Sequence, residues 1–391
     1  MKIYFIGQKG IPTIEGGVEN HVENLATRLA GLGHEVYVYT RHNYSNKNKK
    51  KYRGVNLINL PSINRKNFDA ISHTLLASIH VLFQPADIIH FHSIGPSSLL
   101  WLVKLVKRRT AVIATFHSQC YLHQKWSALA RTYLKFGEHV LCRFADVIIV
   151  PSRVLQHYAA KRYQRQPIYI PNGVTMPGRN KEIKELKELG LDSGEYILTV
   201  GRLVRHKGVH LLIAAYQKLH TAKKLVIVGE GSYTDDYVQE LVNKSVDNKN
   251  IIFLGNQTGS ALRALFANAA MFVQASESEG LSVALLEAMS YGLPVLVSDI
   301  EENAEAVANA GFTFHCGNAN DLKIHLQKIL QNIDGAQNRG REARMRVAKY
   351  YDWDNLIKET VAVYEQALNS QQKIERHFQT RKIIKHYSIS N

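Results

Sequence analysis

The stretch Ser276-Glu277-Ser278-Glu279-Gly280-Leu281-Ser282-Val283-Ala284-Leu285-Leu286-Glu287-Ala288-Met289 decides how the chain is read. An apolar run, Ala269-Ala270-Met271-Phe272-Val273, precedes it and reads as a buried strand. Tyr291-Gly292-Leu293-Pro294 follows, stopping a helix and feeding the strand Val295-Leu296-Val297. Strand, loop, helix, loop, strand is the unit that places ligands at the carboxyl ends of a parallel sheet. Glu279 falls in the loop. Glu287 falls inside the helix, on a face of Ala and Leu, where a carboxylate loses hydration unless hydroxyls donate to it. The N–H groups of Gly280, Leu281 and Ser282 at the helix mouth favour an anion such as phosphate. A sugar nucleotide, with hydroxyls at both ends and a diphosphate between, matches all three features. A capping residue plus a solvated glutamate fits the same pattern, so the rest of the chain must decide.

The chain has 391 residues, 45% hydrophobic and 21% charged, enough for two globular cores. Its 3 Cys are widely spaced, which predicts a reducing compartment without a disulfide frame. The apolar run at Met1 is too short for a signal peptide, and no run approaches the length of a spanning helix. The net charge of +16 is uneven: residues 1–175 hold 23 Lys+Arg and 8 Asp+Glu (+15), residues 176–391 hold 26 and 25 (+1). A basic half beside a neutral one predicts a surface facing anions, either nucleic acid or lipid head groups.

Lys2–Ile6 reads as a strand, and Gly16-Gly17 opens a helix whose Val18, His21, Val22, Leu25, Ala26 and Leu29 recur at helical spacing. The glycine pair lets a backbone approach a ligand, although a plain tight turn reads equally well. No G-x-G-x-x-G fingerprint supports a nicotinamide cofactor. Segment 44–53 reads as a mobile Lys/Asn-rich loop. Strands 87–92 and 111–116 end in His92 and His117, where such sheets bind ligands; for His92 a hydrogen bond to a neighbouring loop is the preferred reading. Residues 101–109 and 124–143 read as basic, aromatic, amphipathic helices, core on one side and solvated or membrane-facing on the other. Strand 145–151 enters a helix capped at Ser152, and strand 167–174 with Pro177-Gly178 leads into a linker.

The second half repeats the architecture. Strand 196–200 leads into Gly201-Arg202-Leu203-Val204-Arg205-His206-Lys207-Gly208, where Arg202 and Lys207 suit a diphosphate. Strands 224–228 and 251–254 and helices 209–218 and 260–268 follow. Helices are predicted at 321–331, 338–350 and 353–368, and the tail 371–391 reads as polar, basic, and disordered or a surface tether.

Together these motifs resemble the GT-B glycosyltransferases, specifically the retaining family four. The resemblance rests on Gly16-Gly17, His117, Gly201-Arg202 with Lys207-Gly208, and Glu279-x7-Glu287 with Gly292-Leu293-Pro294-Val295. It runs to about residue 368. Lys9-Gly10-Ile11-Pro12 and Gln124-Lys125-Trp126 look like a bacterial polysaccharide-assembly branch with rhamnosyltransferase-like members. It implies two Rossmann-like doubly wound domains facing a central cleft: 1–175 for the acceptor, 176–350 for the nucleotide sugar, 351–370 a helix crossing back, and 371–391 the tail. It implies that Gly16 and Gly17 meet the donor phosphate and His117 lines the donor sugar. Arg202 and Lys207 would bind the diphosphate, Glu279 the sugar hydroxyls and Glu287 the ribose, with Gly280, Leu281 and Ser282 at the helix mouth. His117, Glu279, Arg202 and Lys207 are the implied catalytic set. One departure stands out: Ile300-Glu301-Glu302-Asn303-Ala304-Glu305 replaces a glycine-rich turn.

The reaction so implied moves a hexose-type sugar from a nucleoside diphosphate to a hydroxyl of a glycan or lipid-linked acceptor, with retention, in polysaccharide or lipopolysaccharide biosynthesis. No metal is expected: Asp352-Trp353-Asp354 looks like a D-x-D motif but reads as a helix cap, and no His/Cys pattern has zinc spacing. The protein is expected in the cytoplasm, peripheral on the anionic inner face of the cytoplasmic membrane. The rivals are a sugar-nucleotide epimerase of the same fold and a basic module binding nucleic acid or membrane. No nucleic-acid recognition motif supports a nucleic-acid partner.

Overall fold

The computed structural model describes residues 1–391 except 15, 45–47, 66–67, 123–125, 179–181, 232–233 and 388–391, with side chains up to 373. The chain runs β1 (Lys2–Ile6), α1 (Gly17–Gly31), β2 (Glu35–Arg41), β3 (Lys51–Tyr52), β4 (Val55–Leu60), α2 (Asp69–Leu82), β5 (Ile88–His92), α3 (Ile94–Ser97), α4 (Leu100–Val106), β6 (Ala111–Thr115), α5 (Ala128–Phe144), β7 (Val147–Val150), α6 (Arg153–Tyr163) and β8 (Ile168–Tyr169). It continues through α7 (Ile183–Glu188), β9 (Tyr196–Val200), α8 (Val209–Tyr216), β10 (Lys224–Val228), α9 (Asp235–Ser245), β11 (Ile251–Phe253), α10 (Gly259–Asn268), β12 (Met271–Gln274), α11 (Val283–Ser290) and β13 (Val295–Ser298). It ends with α12 (Glu301–Val307), β14 (Phe312–Phe314), α13 (Ala319–Gln331), α14 (Ile333–Tyr350) and α15 (Trp353–Tyr387).

Two sheets result. The first has the order β3-β4-β2-β1-β5-β6-β7-β8, parallel except for β3, and the second is the parallel β11-β10-β9-β12-β13-β14. The inner strands are continuous apolar runs because helices cover both faces. Alternation along β1 divides them: Ile3 and Phe5 pack with Val22, Leu25 and Leu29 of α1, while Tyr4 and Ile6 pack with Ala77 and Val81 of α2, Val103 of α4 and Leu141 of α5. The chain order reverses at β1/β5 and at β9/β12, so each sheet opens a crevice beyond those carboxyl ends. The two crevices face each other. From the second half, α15 returns to the first sheet, burying Trp353, Leu356, Tyr364 and Ala367 among the α1-side core.

Several elements differ from the sequence reading. The 124–143 helix starts at Ala128, where the Ser127 hydroxyl accepts the Ala130 N–H at 3.3 Å. Gln124 and Lys125 lie outside the described residues. Segment 44–53 contributes β3. Residues 371–387 are not an unstructured tail, because α15 runs unbroken to Tyr387. No helix among the described residues is long and apolar enough to cross a membrane.

Candidate active site

The cleft between the sheets has a volume of about 490 Å³ and is lined by the ten residues that the resemblance implies: Gly16, Gly17, His117, Arg202, Lys207, Glu279, Gly280, Leu281, Ser282 and Glu287. Lys207 sits in the loop after β9, Glu279 in the loop after β12. The two loops are joined by the Glu277 N–H donating to the His206 carbonyl at 2.8 Å. Gly208, at φ +67°, permits this: a Cβ there would lie 1.9 Å from the Ala275 carbonyl oxygen. In consequence Lys207 Nζ reaches Glu279 Oε1 at 2.5 Å, with the carboxylate side chain only 9% exposed. Arg202 also faces the cleft and has no ion-pair partner among the described residues.

The helix mouth lies later than the sequence reading placed it. Ser282 is the N-cap of α11, accepting the Leu285 N–H at 3.3 Å and donating to Gln274 Oε1 at 2.5 Å. The first-turn amides left open by the cap are therefore those of Val283 and Ala284, which also line the cleft, while Gly280 and Leu281 precede the cap residue. The α1 mouth opposes it: a Cβ on Gly17 would stand 3.8 Å from Val283. Two positive helix ends thus share one cavity. One turn into α11, burial pushes the Glu287 carboxyl up to about 7.

His117 belongs to a buried imidazole cluster. Its Nε2 is hydrogen-bonded to Nδ1 of His92 at 3.0 Å, and the His21 ring stands edge-on at 5.1 Å between centroids. Burial lowers all three, His21 to about 4, so they are neutral at physiological pH. Ring nitrogens of His21, His92 and His117 lie within 4.8 Å of one another, the one group among the described residues with the donors to hold a metal ion. Sequence spacing could not show this, because α1, β5 and the loop after β6 contribute one histidine each. Asp352-Trp353-Asp354 lies outside the cleft; the Asp352 carbonyl accepts the Leu356 N–H at 3.2 Å as α15 begins.

The halves touch at the site. Gly280 stands so close to His117 that an added Cβ would lie 1.9 Å from the His117 carbonyl oxygen. Asn172 Nδ2 donates to the Leu281 carbonyl at 2.8 Å, and Asn256 Nδ2 to the Ile14 carbonyl at 2.9 Å. Both asparagines line the cleft, as does Asn20, and the sequence reading passed over all three. Asn172 and Asn256 lie just beyond strands, and Asn20 lies in the first turn of α1. The departure at 300–305 is the start of α12. There the Glu305 carboxylate accepts the Arg153 N–H at 2.9 and 3.0 Å, capping α6 of the other half.

Two family models cover most of the chain in tandem: Glycosyltransferase Family 4 over residues 15–176 and Glycosyl transferases group 1 over residues 181–346. An uncharacterized glycosyltransferase of Methanocaldococcus jannaschii is 27% identical, over 94% of this chain and 99% of its own. Sucrose-phosphate synthase from Thermosynechococcus elongatus superposes with a TM-score of 0.81 at 22% identity, covering 94% and 99% of the two chains. Anabaena HepE in complex with UDP-glucose gives a TM-score of 0.77 at 19% identity, covering 93% and 100%. The chain belongs to the family 4, group 1 glycosyltransferases of GT-B fold, enzymes that transfer a sugar from a nucleotide sugar.

Proposed function

We propose that the protein moves a hexose-type sugar, with retention, from a nucleoside diphosphate to a hydroxyl of a glycan or lipid-linked acceptor during polysaccharide or lipopolysaccharide assembly. The observation that carries this is the Lys207–Glu279 pair, 2.5 Å apart, beside Arg202 and between two helix mouths. Glu279 and Glu287 accept hydroxyls of the sugar and ribose. Arg202, Lys207 and the amides of Val283 and Ala284 receive the diphosphate, and Gly17 brings the α1 amides to it. The binding of UDP-glucose by HepE supports a uridine-type donor. The polysaccharide-assembly branch rests on Lys9-Gly10-Ile11-Pro12.

In the reaction the bond from the sugar's anomeric carbon to the diphosphate oxygen breaks. The acceptor hydroxyl oxygen forms the new bond from the same face, and its proton passes to the departing diphosphate. The barrier is lowered by stabilising charge that grows on the diphosphate. The cations and helix ends on the protein meet that charge, so transfer proceeds without a divalent metal. Lys207 ties Glu279 down as a hydroxyl acceptor and not as a nucleophile, which favours departure and attack on one face. His117, neutral, packs against the donor sugar.

A labelled panel of nucleoside diphosphate sugars, supplied with lipid and glycan acceptor fractions and excess chelator, tests the reading. Label retained in an acceptor fraction, with the donor's anomeric configuration, is expected. Label appearing only in an epimerised sugar nucleotide, or transfer abolished by chelation, would overturn it.

A further inference from the structure

Four imidazoles meet where the first sheet reverses its order: His90 and His92 on β5, His117 in the loop after β6 and His21 on α1. Their bonding divides them. His90 is a satisfied core residue, with Nδ1 hydrogen-bonded to the Tyr364 hydroxyl at 2.6 Å and Nε2 to the Thr115 hydroxyl at 2.7 Å. The other three are under-bonded. His92 and His117 share one hydrogen bond, Nδ1 to Nε2 at 3.0 Å. Nε2 of His92 and Nδ1 of His21 are buried with no hydrogen-bond partner among the described residues. A buried polar atom left unsatisfied costs about 1–3 kcal/mol, so packing alone gives no reason for imidazoles here.

The trio has the dimensions of a metal site. One nitrogen from each of His21, His92 and His117 lies within 4.8 Å of the other two. A tetrahedral ion holds imidazole nitrogens at about 2.0–2.1 Å, and therefore about 3.3–3.5 Å from one another. The His92–His117 edge, at 3.0 Å, has to open slightly and longer edges have to close. Ring rotation covers both movements while the strands and α1 stay in place.

The chemistry of the donors selects the ion. Neutral imidazole is the form that ligates a metal. Whichever ring carries the proton of the His92–His117 bond shifts it to its other nitrogen, as an ordinary change of tautomer. Three imidazoles without a carboxylate suit Zn2+ or Cu2+, whereas Mg2+ and Ca2+ require oxygen ligands. His117 lines the cleft, so an ion enters from there and its fourth ligand position is reached by a water or a diphosphate oxygen.

We infer that His21, His92 and His117 form a binding site for a divalent transition metal of the zinc class, and that its occupancy inhibits the enzyme. Binding is independent of the function proposed above; only the inhibition rests on it. In that reading His117 is a neutral ring packed against the donor sugar. Coordination turns the ring toward the ion and fixes it there, and a divalent charge then lies at the floor of the sugar subsite. The His117 backbone also carries the close contact with Gly280, so drawing the ring toward α1 disturbs the junction of the two halves. Arg202 and Lys207 belong to the second half and stay in place, so the nucleotide can still bind.

X-ray absorption on the full chain loaded with one equivalent of Zn2+ tests the site. The expected shell holds three imidazole nitrogens at about 2.0–2.1 Å, and Co2+ in its place should give the intense visible bands of a four-coordinate ion. Loss of a ligand costs at least as much as loss of a partner behind one, so His21→Gln and His92→Phe should each weaken Zn2+ binding at least about 100-fold. Zn2+ held instead at the surface, for example by His315 beside Asp299, would keep its affinity in both variants and overturn the site. So would a shell with fewer than three nitrogens, a measurement made on the parent protein and untouched by any misfolding of the variants. In transfer assays one equivalent of Zn2+ should lower the rate at least about tenfold, a chelator should restore it, and excess Mg2+ should have no such effect. Full occupancy without inhibition would overturn the inhibitory role. A metal-free protein that transfers no sugar from any donor would overturn that role together with the functional reading, while the absorption measurement still decides the site.

Discussion

Lys207 Nζ lies 2.5 Å from Glu279 Oε1, and neither side chain is more than 20% exposed. The cation and the carboxylate that the sequence assigns to opposite ends of a donor's phosphate–sugar bond are thus in contact before any donor arrives. The pair keeps Glu279 from lying unpaired in a cleft that partly excludes water, and it presets the distance between the phosphate and hydroxyl subsites. Preorganisation of this kind is what electrostatic catalysis needs, since the charges do not have to be reoriented as the diphosphate departs.

Lys207→Ala and Glu279→Gln are expected to lower kcat/KM for transfer by about 10²–10³-fold. The structural costs differ. Lys207→Ala leaves a mostly buried carboxylate without its cation and should destabilise by about 1–3 kcal/mol, whereas Glu279→Gln keeps a hydrogen-bond acceptor for Lys207. Steady-state kinetics and denaturant melts of both variants check this. Turnover near the parent level in either would remove that residue from the site.

Gly280→Ala examines the contact between the halves. The new Cβ would lie 1.9 Å from the His117 carbonyl oxygen, so backbone on one side must retreat. Each half keeps its own core, and the expected result is an opened cleft: transfer lowered at least about 100-fold through lost positioning, with UDP affinity within a few-fold. Small-angle scattering should report a larger radius of gyration. An unchanged radius with normal turnover would mean that the contact is not needed for catalysis.

His92→Phe keeps a ring of similar shape between His90 and His117 but removes the Nδ1 partner of His117 Nε2. Transfer is expected to fall about tenfold as the His117 ring loses its fixed orientation, with UDP affinity unchanged. A kcat unaffected by the substitution would show that packing alone holds His117.

Much of this was legible in sequence. β9 and β10 run over the residues that the apolar periodicity marks, and all ten chosen residues line one cleft, because glycines, cations and carboxylates just past apolar runs have few structural uses. Three kinds of feature were hidden. The α11 mouth shifts by three residues because Ser282 caps the helix, its hydroxyl accepting the Leu285 N–H. Asn172, Asn256 and the histidine cluster act across long sequence separations that no local pattern carries. Helix α2 hides because Leu75, Leu76 and Ile79 leave its outer face apolar, so amphipathic periodicity is missing.

Glu287 gives a prediction with a definite sign. Burial raises its carboxyl from the ordinary 4.5 to about 7 in the folded protein. Between those values the native state holds a proton that the unfolded chain has lost, so stability falls as pH rises through the window and levels off above about 7. Below about 4.5 both states are protonated and this contribution to the slope vanishes. Glu287 is only partly shielded at the cleft wall, so the expected change is about 1–3 kcal/mol. Glu287→Gln should flatten the difference between melts at pH 5 and pH 7.5. Ligand binding should run the other way. An ionised carboxylate accepts ribose hydroxyls more strongly than a neutral one, so UDP affinity should rise between pH 6 and 8. Calorimetric titrations of the parent and of Glu287→Gln check this. An equal pH slope in both proteins would assign the dependence to the nucleotide's own phosphate and remove Glu287 from ribose recognition.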